Sequence, residues 1–327
     1  MLHLRVTVPS ARATALVEAL AGHPGVAHLA HLRDASTVPS GDVLLCDVAR
    51  ESADEVVEWL QAQGAHRDGA ITVSPIGTVI SDAAGAAERR VPGHGSDAVV
   101  WEELEGRARE DATLTASLLV LMAVATMIAG AGILLDSPIL VIGAMVVGPE
   151  YGPLGALCVA AVRRRWGGAA TAAGTLGAAV VVGVVSTWLL TLAVRAAGIG
   201  PEGYRVTDRE LTAFISRPDG LAVVVALLAG VAGMLALTEA RSGTMVGVLV
   251  SVTTIPAIAN IGVAAAHGAT EEMLGAAAQL GLNFAGLVVA GTATLVVQSR
   301  LTTDGLPRTR PGTPPGPSTV RAHDRRR

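Results

Sequence analysis

Glu150 is the residue in this sequence best placed to do chemistry. It lies in the run Gly148-Pro-Glu-Tyr-Gly-Pro153, flanked on both sides by long apolar stretches. An ionisable group within an apolar span is costly to place and is by default a functional candidate. Its roles could be proton carrier, cation ligand or partner of an arginine from another helix. The competing reading shifts the span and leaves Glu150 in water at an interface. Tyr151 stands beside it. Pro149 and Pro153 break the helical ladder, and lipid cannot satisfy the carbonyls they free, so the break belongs inside a bundle or along a cavity. A second polar break is Thr253-Thr-Ile-Pro-Ala-Ile-Ala-Asn260, which supplies Thr253, Thr254, Pro256 and Asn260. Asn283 sits in the last apolar run. These nine residues are the candidates for binding a solute or ion. The hydroxyls and amides among them could equally make interhelical hydrogen bonds.

Other chemistries find little support. There is no His-Glu-x-x-His, no Gly-x-Ser-x-Gly and no pair of carboxylates within a span, so no enzymatic activity is expected. His3, His23, His28, His31, His66 and Cys46 are scattered, and paired-cysteine spacing is missing. His28 and His31, three apart on a predicted strand, should point to opposite faces. Neither a metal nor a cofactor is expected.

The elements that must position Glu150 follow from hydropathy. Hydrophobic residues make up 51% of the 327 and charged residues only 16%, well below the roughly 25% usual in soluble domains. Between Ala112 and Val297 the charges fall in short clusters separated by apolar runs. Such runs reach about 20 residues, the length of a membrane-crossing helix. Six spans are predicted: 112–135, 137–161, 167–194, 220–237, 245–266 and 273–297. Ahead of them, residues 1–82 read as strand, helix, strand, strand, helix, strand. That is the order of a ferredoxin-like α+β domain. Its strands are 2–8, 26–32, 42–48 and 70–80, and its helices 11–21 and 51–63. Residues 83–111 read as an Ala/Gly-rich linker and a charged juxtamembrane helix. The Pro- and Arg-rich residues 299–327 read as a disordered tail.

The net charge of −4 argues against a nucleic-acid partner. No signal-peptide pattern opens the chain, and the first long apolar run begins near Ala112. Arginines 107, 109, 163, 164, 165, 241 and 300 fall on one side of the predicted topology. Arginines 195, 205, 209 and 217 surround one loop on the other. The excess places the N-terminal domain and the tail in the cytoplasm, with the chain in the cell membrane. The lipid bilayer and a small solute or ion are the expected partners, and a homo-oligomer is compatible with the sequence. Gly148 and Gly152, and Gly243 and Gly247, have the four-residue spacing that allows helices to approach closely, and Gly143 joins them as a packing candidate.

The two halves of the apolar part resemble each other. Gly143 and Gly247 share an offset with Gly177 and Gly281, and the Gly-to-Pro break of the second span is echoed in the fifth. Three spans per copy would invert the second copy across the membrane, a 3+3 design found in secondary transporters.

Ile128-Ala-Gly-Ala-Gly-Ile-Leu-Leu-Asp-Ser-Pro-Ile-Leu-Val-Ile-Gly-Ala-Met-Val-Val-Gly-Pro149, with Gly152-Pro-Leu, resembles the signature of the domain-of-unknown-function 389 family. These are uncharacterised bacterial and archaeal membrane proteins. Val246 to Ala257 and Leu282-Asn-Phe-Ala-Gly286 are similar to the family's later motifs. The resemblance covers 112–297 and implies a multi-pass membrane protein, without a substrate. Glu150 and Tyr151 depart from it where apolar residues are expected, as does Thr254-Ile255 where a second proline is common. A transporter or channel with a regulatory cytoplasmic head is the reading expected from the sequence. A membrane-anchored ligand sensor or scaffold is the alternative.

Overall fold

A computed structural model describes residues 1–91, 101–199, 211–216, 219–238 and 254–303. The chain divides into two compact units, 1–103 with 298–327, and 104–297.

In the first unit, alternation builds the sheet. Leu2, Leu4, Val6 and Val8 of β1 (Leu2–Val8) all point into the core and are essentially inaccessible, as strand periodicity requires. Helix α1 (Ser10–Gly22) buries Ala13, Leu16 and Leu20. Strands β2 (Val26–Thr37) and β3 (Ser40–Val48) form a hairpin. Helix α2 (Arg50–Ala62) buries Val56, Val57 and Leu60. After a single turn, α3 (Ala65–Asp68), β4 (Ala70–Pro75) closes the sheet in the order β2-β3-β1-β4, every pair antiparallel. The predicted split βαβ connectivity is therefore present. β2 runs further than predicted, and β4 stops earlier, at Pro75.

The stretch read as a linker begins instead with a helix, α4 (Asp82–Arg90). Ser81 caps it by accepting from the Ala84 amide, and Ala84 and Ala87 are buried. The chain continues into α5 (Trp101–Asp111), whose first amide donates to Asp54.

The second unit is helical. Helices α6 (Ala116–Leu134), α9 (Trp166–Ala196), α10 (Gly220–Thr238) and α12 (Thr270–Thr303) contain stretches long and apolar enough to cross a membrane. Helices α7 (Pro138–Val147) and α8 (Tyr151–Val162) form a pair bent by 54° that together are long enough for a fifth. Helix α11 (Thr254–His267) is apolar but short. The described part of the predicted fifth span is this helix. The rest of that span, with Gly247 and Thr253, lies outside the described residues, as does Gly243 ahead of it.

The helix bounds repeat at one interval. Shifted by 104 residues, α6 covers the same described residues as α10, and α8 lies within the described residues of α11. The same shift carries α9 onto the apolar stretch Thr270–Arg300 of α12. Contacts repeat too. Thr126 packs on Gly183 and meets Ser186, and its counterpart Gly230 packs on Leu287 and Ala290.

Candidate functional site

Helix α7 ends because Pro149 has no amide hydrogen to donate back to the carbonyl of Met145. The last helical bond there is from Gly148 to Ala144, at 3.2 Å. Helix α8 starts one residue past Glu150, whose own carbonyl accepts from Leu154 at 3.3 Å. Glu150 thus occupies the corner between two half-helices, at the N-terminus of the second, where the helix dipole favours negative charge.

The corner is closed. Glu150 is only 3% exposed and Thr254, the first residue of α11, is fully buried. Thr254 donates its hydroxyl to Glu150 Oε1 at 2.7 Å. Glu150 Oε2 is buried with no hydrogen-bond partner among the described residues. It presses on Gly148, where a Cβ would collide with it, and that Cβ would also lie 2.6 Å from Ile255 Cγ1. The N-terminus of α8 and Thr254 of α11 therefore meet at one carboxyl group.

The remaining candidates divide. Tyr151 turns away from Thr254 into an apolar cluster with Leu154, Leu176, Ala229 and Leu287, its hydroxyl against Gly233. Pro153 and Pro256 are buried in the first turns of α8 and α11. Asn260 donates to Ser216 at 2.6 Å. Asn283 accepts from Gln279 at 3.3 Å, one turn earlier on α12. Of the predicted site residues that are described, only Thr254 is hydrogen-bonded to Glu150. Of the predicted packing glycines, Gly148 and Gly152 make close approaches, Gly152 against Asp111. Gly143 is the exception, because a Cβ there meets nothing among the described residues and the position is exposed.

Some contributors carried no signal in the sequence. Glu105 of α5 pairs with Arg163 at 2.7 Å and with Arg165 at 2.7 Å, fixing the far end of α8. Asp136, in a left-handed conformation after α6, accepts from the amides of Leu211 and Thr212 and from the Thr212 hydroxyl.

The N-terminal unit holds a separate polar network. Asp42 accepts from Ser10, from the amide of Asp34 and from His31. The Ser10, Asp34 and His31 hydrogen bonds draw its carboxyl down to about 2. Asp47 binds both His3 and His28. Burial pushes its carboxyl up, but those two hydrogen bonds outweigh it and hold it below the usual range. His28 also reaches Ser81 at 2.7 Å. No cluster of three metal-ligating side chains occurs among the described residues.

Four apolar, membrane-length helices among the described residues and one further pair bent at a buried carboxyl, with a small antiparallel-sheet domain earlier in the chain, make this a helical membrane protein. Residues 145–289 match the model of the family described as Domain of unknown function (DUF389). This is the family whose motifs the stretch around Pro149 resembles. No curated protein matches the chain, and no solved structure does.

Proposed function

We propose that this protein is a transporter or channel for a small solute or ion, with Glu150 on its pathway. The observation that carries the reading is the Glu150–Thr254 hydrogen bond. Its partners are separated by 104 residues, the same interval that relates α6 to α10. A contact between equivalent positions of two copies is its own counterpart, so it lies on the two-fold axis relating them. The apolar surroundings exchange in the same way. Tyr151 clusters with Leu176 and Ala229, and their counterparts Ile255, Leu280 and Ala125 share another cluster. A two-fold that exchanges the halves is what a 3+3 inverted repeat of six spans requires, and its axis then lies in the membrane plane. Inverted-repeat transporters bind their substrates at that level, where broken helices meet. A buried carboxylate at such a break is the expected pathway residue. The arginine distribution supports an inward-facing N-terminal domain and tail, with that domain in a regulatory role.

The test is flux in proteoliposomes under imposed ion and pH gradients, wild type against Glu150→Gln. Flux that falls in a variant that still elutes as folded protein supports the reading. An absence of flux from both would leave the sensor or scaffold, for which the separately cored N-terminal unit is the supporting observation.

A further inference from the structure

We propose that Glu150 takes up and releases a proton inside the bundle. The proton is then the ion this protein moves, or the ion to which movement is coupled. This second step rests on the transport reading above.

The first argument is what fits at the corner. Hard divalent cations take about six to eight oxygens, or a near-octahedral shell that keeps several waters. Among the described residues, Glu150 has one hydroxyl beside it, and its free oxygen is packed against Gly148. Among the described residues that is too few oxygens for a divalent cation's shell. Among the same residues no cationic side chain is hydrogen-bonded to the carboxyl to receive an anion. A proton needs only one free oxygen, and Glu150 Oε2 is one, buried and unpartnered. Removing a lone carboxylate from water without a counter-charge is expensive, and binding a proton removes that cost.

The second argument is enclosure. Glu150 is buried, and its carboxyl lies against Gly148 and Thr254. Among the described residues, the titratable groups closest along its own segment are Tyr151, which packs in the apolar cluster of Leu154 and Leu176, and Asp111, which packs on Gly152 two residues further on. The step balances: the Glu150 carboxylate takes one proton from water to give the carboxylic acid, and the reverse step returns it.

Infrared difference spectra of the purified full-length chain, between acid and alkaline buffer, read the proton directly. The expected result is a carboxylic-acid carbonyl band that titrates in the wild type. It should be lost in Glu150→Gln and moved in Thr254→Val, which removes the donated hydroxyl. If Glu150→Gln does not fold, Glu150→Asp should move the band rather than abolish it. Wild-type and Glu150→Gln spectra that superimpose would overturn proton binding at Glu150. In proteoliposomes carrying a pH-sensitive dye, proton movement should be lost in Glu150→Gln. Sodium or potassium flux without any pH change would overturn the proton as the moving ion and leave the transport reading standing. No flux of any ion, with a titrating band that Glu150→Gln removes, would keep proton binding and overturn transport.

Discussion

Thr254 and Glu150 are joined by a 2.7 Å hydrogen bond across 104 residues, the interval that also relates α6 to α10. One brings a hydroxyl and the other a carboxyl. The bond ties α11 to the corner at which α8 starts.

Replacing Thr254 with valine keeps the shape and removes the donor. Leaving a buried acceptor unsatisfied costs about 1–3 kcal/mol, and Glu150 would then have two such oxygens. Thr254→Val should melt at lower temperature than wild type in detergent. The double variant with Glu150→Gln should lose less than the sum of the two single changes, because the two side chains share one interaction. Strict additivity would show that the hydrogen bond contributes nothing.

Gly233 is a second point of contact that admits no side chain. A Cβ there would collide with the ring and hydroxyl of Tyr151. Overpacking of this kind usually costs about 1–3 kcal/mol. Gly233→Ala should therefore destabilise the bundle, and Tyr151→Leu in the same chain should recover part of the loss. A Gly233→Ala protein as stable as wild type would show that Tyr151 moves aside freely.

Acid should loosen the N-terminal sheet at Asp42. Its carboxyl is held at about 2, below its ordinary 3.8, by hydrogen bonds from Ser10, the Asp34 amide and His31. A depressed folded-state value means that the stabilisation is fully present above the unfolded value and is lost as pH falls through the folded one. Amide hydrogen exchange along β1 and β3 should accelerate as pH drops through that window, beyond the intrinsic pH dependence. Asp42→Asn should exchange faster at neutral pH and lose this acid sensitivity. An unchanged acid profile in that variant would assign the sensitivity to another group.

Cys46 and Cys158 are both buried and unpaired. Burial pushes the Cys46 thiol up to about 12, so thiolate is scarce at neutral pH. Neither cysteine should react with a maleimide in the folded chain, and both should react in denaturant. Mass spectrometry of the labelled protein distinguishes the two states.

Much of the architecture was legible because its signals are local. Apolar runs announced the long helices, and Pro149 and Pro153 placed the bend between α7 and α8. Helix α4 was missed because Ala84 and Ala87, the residues it buries, are too small to mark a hydrophobic face. The Ser81 cap was its one readable sign. The burial of Glu150 could not be decided from sequence, since an interfacial and an interior position differ only in what surrounds them. Its partner was nearer to hand: the interval linking Gly143 to Gly247 and Gly177 to Gly281 also leads from Glu150 to Thr254. The pairing of Glu105 with Arg163 and Arg165, and the bonds of Asp136, join residues far apart in the chain. No periodicity encodes such partners.

Glu150 has no acidic twin: the position 104 residues on is Thr254, its own hydrogen-bond partner. The helices recur at that interval, but the ionisable group does not. Among the described residues the corner therefore holds a single carboxyl, and on the transport reading proposed above it can carry at most one proton at a time.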